Sequence, residues 1–183
     1  MIDPVAQLID QVCCAILDSD GQKVYADVLR MVKLAKAANK AFYFIGNGGS
    51  AAIASHMAAD WMKNGGMRAM AFNDGAALTC LSNDLGYERV FSVPLQRFAN
   101  QGDVLFAVSS SGQSQNILEA ASLGERLLLN VVTLSGFRPD NLLRRLGKHN
   151  FYVPSMKYGV VEIAHLAILH SLLDEVMTDA APS

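Results

Sequence analysis

Short apolar runs alternating with stretches of helical character constrain this chain more than any other feature. The runs cover residues 41–45, 68–72, 103–108, 130–134 and 150–153, and the helical stretches cover about residues 50–63, 116–125, 141–147 and 160–177. Strands that read as near-continuous apolar segments, joined by helices, belong to a parallel sheet covered on both faces. The pattern predicts an α/β three-layer sandwich around a five-stranded parallel sheet. Residues 4–38 precede it and read as helical. Val5, Leu8, Ile9, Val12 and Ile16 recur at three and four, as do Val24, Val28, Met31, Leu34 and Ala35. A break at Asp18-Ser19-Asp20-Gly21 divides them into two helices. There is no internal repeat, low-complexity tract or linker. The 183 residues are expected to form one domain, with residues 1–38 as helices used in packing or oligomerisation and residues 39–178 as the α/β core. Residues 179–183 are expected to fray.

Composition narrows the function classes. With 51% hydrophobic and 17% charged residues, the chain reads as globular with much buried surface. A net charge of -2 gives no electrostatic case for nucleic acid. Cys13, Cys14 and Cys80 form neither a disulfide framework nor a zinc-finger spacing, which predicts a reducing compartment. The start Met1-Ile2-Asp3-Pro4 lacks the features of a signal peptide, and no run approaches a membrane span. The expectation is a cytoplasmic protein without membrane contact.

Two hydroxyl-rich loops carry the chemistry. Gly46-Asn47-Gly48-Gly49-Ser50 follows the first strand, and Ser109-Ser110-Ser111-Gly112-Gln113-Ser114 follows the third; each precedes a helix. Backbone N–H groups, hydroxyls and a helix N-terminus together favour an anion. The first loop has neither the dinucleotide fingerprint nor the Gly-Lys-Ser/Thr ending of a P-loop, so no nucleotide cofactor is expected. On its own it reads equally as a tight turn joining strand to helix. The second places Ser109, Ser110, Ser111 and Ser114 within six residues, more than N-capping requires. It holds no lysine or arginine, and neutral donors suit a phosphosugar better than a triphosphate. A third segment, Asn83-Asp84-Leu85-Gly86-Tyr87-Glu88, has turn chemistry. Asn83 and Asp84 fit sugar hydroxyls and fit an Asx turn equally well.

Among ionisable residues, His56 and Asp60 are four apart on the helix leaving the first loop and share a face. Glu162 and His170 lie eight apart in the last helix, about two turns, and point in broadly similar directions. Each has a plainer reading: His56 as a core histidine, Asp60 as a partner of Lys63, Glu162 as a first-turn acid. His165 reads as structural. An imidazole and a carboxylate beside a phosphosugar suit aldose–ketose isomerisation, in which one group moves a proton between carbons and another between oxygens. His56, Asp60, Glu162 and His170 also make a four-ligand N/O set for zinc. The residues alone do not separate a metal role from direct acid/base work.

These motifs together resemble the sugar isomerase (SIS) domain family, and most closely its phosphoheptose isomerase branch. The likeness rests on residues 46–52 with His56 and Asp60, residues 83–88, residues 102–105, residues 109–114, and the closing helix with His165 and His170. It implies a flavodoxin-like five-stranded sheet in a homotetramer with sites at subunit interfaces. It implies conversion of sedoheptulose 7-phosphate to D-glycero-D-manno-heptose 7-phosphate, on the way to lipopolysaccharide. Position by position it implies that Asn47, Gly48, Gly49, Ser50, Asn83 and Asp84 line the sugar and that Ser109, Ser110, Ser111 and Ser114 hold phosphate. It further implies that His56, Asp60, Glu162 and His170 bind zinc, and that Asp60 and His170 transfer protons. The chain departs from the family at Asp60, where Glu is usual, and at Glu162, where Gln is usual. Related isomerases acting on another ketose phosphate share these motifs. So do non-catalytic modules such as the DnaA initiator-associating protein, which need no acid/base set.

Overall fold

A computed structural model describes residues 3–16 and 19–178. Two helices, α1 (Pro4–Ile16) and α2 (Ser19–Ala37), lead into an alternating α/β core. The core runs β1 (Ala41–Gly46), α3 (Gly49–Lys63), β2 (Arg68–Ala71), α4 (Gly75–Leu85), α5 (Ser92–Phe98), β3 (Val104–Ser109), α6 (Gln115–Arg126), β4 (Asn130–Gly136), β5 (His149–Val153) and α7 (Tyr158–Thr178). All five strands are parallel, in the order β2-β1-β3-β4-β5. The predicted five-stranded parallel sandwich is what the chain forms.

β1 and β3 are buried along their whole length, yet side chains still alternate between faces. Phe42, Phe44, Phe106 and Val108 face α2, α3 and α7, where they meet Trp61, Met57, Val32 and Leu169. Ring centroids of Phe42, Phe44 and Phe106 lie 5.0–5.3 Å from one another or from Trp61. Tyr43, Ile45, Leu105 and Ala107 face the other way, toward Leu95, Ile117 and Ala121. A third, smaller cluster joins Val12 and Ala15 of α1 to Val160, Val161 and Ala164 of α7. The apolar set of α1 is therefore split: Val12 is buried, while Val5 and Ile9 stay exposed.

The chain leaves β1 toward β2 on one side and returns to β3 on the other. Adjacent strand C-termini whose connections depart in opposite directions open a crevice. Both hydroxyl-rich loops sit there, after β1 and after β3.

Four local expectations change. The stretch 141–147 is not a helix: only a single 3-10 turn forms at Leu143–Arg145, because Asn141 is consumed by loop contacts and Gly147 takes φ +78°. Helices α4 and α5 stand where no helix was expected; α4 buries no residue fully and touches the core only through half-buried Leu78 and Leu81, so its apolar stripe is weak. Ser19, Asp20 and Gly21, read as part of a break, belong to α2; Asp18 of that expected break lies outside the described residues. The expected fraying of residues 179–183 also lies outside them.

Candidate active site

The two loops close around a cavity of about 250 Å³. Asn47, Gly48, Gly49, Ser50, Ser109, Ser110, Ser111, Ser114, Tyr158 and Glu162 line it. Two clefts elsewhere are larger, about 410 and 450 Å³, but contain neither loop and none of the candidate residues. Size alone is therefore a poor guide here; the convergence of donors makes this cavity the candidate site.

The serine loop discriminates between its two readings. Ser114 is the residue before α6, yet its side chain makes no capping hydrogen bond. The Ser109 hydroxyl accepts from Gly112 N–H at 3.2 Å, and the Ser111 hydroxyl accepts from Gln113 N–H at 3.2 Å. The Ser110 hydroxyl is buried with no partner. A buried hydroxyl without a partner costs free energy unless a ligand supplies one. The loop thus leaves a buried donor that a ligand could satisfy. Across the cavity, α3 also begins without a side-chain cap, at Gly48. Two helix N-termini thus face the same space with free backbone donors. The loop carries no cation, and Glu162 is the one charged residue among the cavity-lining residues.

Asn47 is held in place by neighbours. Its amide exchanges two 2.9 Å hydrogen bonds with the Asn116 amide, and its Oδ1 also accepts from the Tyr87 hydroxyl at 3.0 Å. Asn116 and Tyr87 escaped the functional reading, as did Tyr158, an exposed aromatic that walls the cavity and packs edge-on against Phe137. Tyr158 has no distinguishing motif around it. Asn83 and Asp84 do not reach the cavity within this chain. They lie exposed at the end of α4, where Asn83 Nδ2 donates to Asp84 Oδ1 at 2.8 Å.

The ionisable residues form a second group. His56, Asp60 and His170 offer ligand atoms that all lie within 4.8 Å of one another. His56 Nε2 is 3.2 Å from His170 Nε2 and 3.5 Å from Asp60 Oδ2. Donors bound tetrahedrally at zinc distances stand roughly 3.3 Å apart, so these spacings and this N/O chemistry fit a zinc-sized cation. Glu162 does not join the group. Its carboxylate packs against Gly49, where a Cβ would collide with it, and it faces the serine cavity. Eight residues of α7 rise about 12 Å, so similar direction does not bring Glu162 and His170 to one point. The four-residue ligand set read from the sequence is thus divided three to one within a chain. His165 is structural, as expected: it is fully buried, donates or accepts through Nε2 at 3.1 Å from Ser135 O, and burial pushes its pKa down to about 4.

With this geometry in view, comparison with known proteins is decisive. The SIS domain family model matches residues 9–136. The chain belongs to the SIS domain family. It is 36% identical over 140 residues to a phosphoheptose isomerase of Helicobacter hepaticus, covering 73% of this chain and 71% of that protein. It is 31% identical over 168 residues to that of Geotalea daltonii, covering 87% of each. Among solved structures, a phosphoheptose isomerase from Neisseria gonorrhoeae superposes with a TM-score of 0.85 at 26% identity, covering 97% of this chain and 95% of that one. The SIS fold and the phosphoheptose isomerase branch indicated by the motifs are those of the relatives.

Proposed function

We propose that this chain is an aldose–ketose isomerase that converts sedoheptulose 7-phosphate to D-glycero-D-manno-heptose 7-phosphate. The observation that carries the reading is the pairing, along α3 and α7, of a cation-free cradle of neutral donors, bordered by the Glu162 carboxylate, with the His56–Asp60–His170 group. The two lie about two helical turns apart, roughly 10–12 Å, a gap suited to a long sugar phosphate rather than a triose. The names of the curated relatives support the same substrate.

In this mechanism Ser110, Ser111, Ser114 and the N-termini of α3 and α6 grip the phosphate. Asn47 meets a sugar hydroxyl with the amide hydrogen that Asn116 leaves free. Asp60 and His170 move the protons. One takes the proton from C1 and a proton is returned to C2, while the other transfers a proton from the C1 oxygen to the C2 oxygen, so the isomer differs only in where its hydrogens sit. His56, Asp60 and His170 would hold a divalent cation, zinc by donor type, which would polarise the two oxygens of the enediolate.

The reading extends to assembly and place. Asn83 and Asp84, exposed on a helix that buries none of its residues, would serve a neighbouring subunit's sugar in a homotetramer, and exposed Val5, Ile9, Met62 and Ile163 offer apolar surface for it. Among the described residues no helix is long and apolar enough to cross a membrane. A cytoplasmic step toward lipopolysaccharide heptose completes the proposal.

Incubating the protein with sedoheptulose 7-phosphate in D2O tests the chemistry directly. Enediolate formation exchanges the C1 proton for deuterium and produces the aldose. Absence of both exchange and aldose, with and without added zinc, overturns the proposal.

A further inference from the structure

The serine loop does not hold its shape unaided. Its turn residue Gly112 has φ +62°, a conformation that L side chains rarely adopt. What presses on it from outside is Asn141, in the loop that follows β4. Asn141 is 0% exposed. Its Nδ2 donates to Arg138 O at 2.8 Å, Gly136 O at 3.2 Å and Ser135 Oγ at 3.3 Å. Its Oδ1 accepts from Arg144 N–H at 3.0 Å. The amide is fixed at both ends, because reversing it would aim an oxygen at two carbonyls. Gly112 rests on this carboxamide: a Cβ there would collide with Asn141 Oδ1. Two backbone bonds complete the joint, Leu143 N–H to Gly112 O and Gly136 N–H to Ser110 O, both 3.0 Å. Asn141 is not among the residues that line the cavity.

We infer that Asn141 is a positioning residue for phosphate binding. It fixes Gly112, and through it the hydroxyls of Ser110 and Ser111 and the start of α6, before ligand arrives. The inference rests on the phosphosugar reading above. A cradle of neutral donors has no cation to draw the anion in, so its affinity depends on the donors already standing in place; each ordering step on binding subtracts from it. A buried carboxamide is a costly way to fill space, since apolar side chains of similar size pack without polar groups to satisfy. Here every polar contact of the amide goes to the loop framework behind the cradle.

The test is a kinetic split measured on the full chain, with sedoheptulose 7-phosphate as substrate and inorganic phosphate as competitive probe. In Asn141→Ala, KM and the phosphate inhibition constant each rise about tenfold, while kcat stays within about twofold. Gly112→Ala shows the same pattern from the other side of the contact. The double variant is less impaired than the product of the two, because the collision between them is gone. Arg138→Ala, which removes an exposed side chain paired with Asp140 in the same loop, leaves both constants unchanged. An Asn141→Ala protein with a lower thermal midpoint but unaltered KM and phosphate inhibition overturns the inference. Where Asn141→Ala does not fold, Asn141→Asp decides by the same two constants. A wild-type protein that neither turns over the sugar nor binds phosphate refutes the phosphosugar reading and this inference with it. A competent wild type beside a kinetically unchanged Asn141→Ala refutes only the role of Asn141.

Discussion

The serine cradle and the histidine–carboxylate group are built on opposite principles, although α3 and α7 contribute to both. The cradle is mostly backbone and short hydroxyls, with Ser109 and Ser110 buried and its loop pinned to β4. The His56–Asp60–His170 group is made of longer side chains on two helices, with the His56 side chain 52% exposed and Asp60 and His170 half-buried. Recognition of a phosphate gains from rigidity, because the anion is the same in every substrate. Proton transfer gains from groups that meet water and exchange protons with it. The contrast teaches that the proposed binding end of this site is folded into the sheet, whereas the proposed reacting end opens to solvent at His56.

If the two regions are energetically separate, His170→Ala gives the largest effect: a fall in turnover of about a thousandfold with the phosphate inhibition constant unchanged. Equal losses in both measurements would break the separation. Chelation followed by zinc sharpens the same point. Turnover is expected to fall at least about tenfold with EDTA and to return with zinc, with phosphate binding unaffected throughout.

Acid probes the foundation beneath the cradle. Burial holds His165 at a pKa of about 4 against an ordinary 6.5, so the unfolded chain takes up the proton more readily. The associated stability is present above about pH 6.5 and is lost as pH falls toward 4, on the order of 3 kcal/mol in all. Thermal midpoints measured from pH 7.5 down to 4.5 should drop steeply in the wild type and less in His165→Gln. Parallel slopes would show that this imidazole is not the titrating group. A smaller effect is expected from Ser110→Ala. It should raise KM and the phosphate inhibition constant about tenfold, while leaving the thermal midpoint unchanged or slightly higher, because the lost hydroxyl has no partner in the free protein. A midpoint that falls would mean the hydroxyl serves the fold instead.

Legibility in the sequence followed burial. The strands stood out because β1 and β3 are runs of apolar residues buried along their length, and β4 carries Val131, Val132 and Leu134 within a strand that is also almost wholly buried. The two loops stood out because few folds place glycines and serines so densely after a strand. Helix α4 was hard to read because it packs on the core only through half-buried Leu78 and Leu81 and buries no residue fully, which leaves a weak periodic stripe. Helix α5 is short and carries Pro94 near its start, which masks it. The segment 141–147 imitated a helix because Leu142, Leu143 and Leu146 fall at helical spacing, whereas Asn141 answers to the end of β4 and to Gly112 of the serine loop. The division of Glu162 from His170 was equally hidden: angular position on a helix is readable from spacing, but the partner waiting at each level is not.

Helix α7 runs unbroken for 21 residues and carries Glu162 at the cradle and His170 at the reacting group. Distance between the two is thus metered by the helical rise, about 1.5 Å for each residue between them. On the proposed function, the last helix would act as a gauge for chain length, matching a sugar whose phosphate and carbonyl stand far apart. One residue inserted between the two marks would turn His170 by about 100° and carry it away from His56 without disturbing the grip on phosphate.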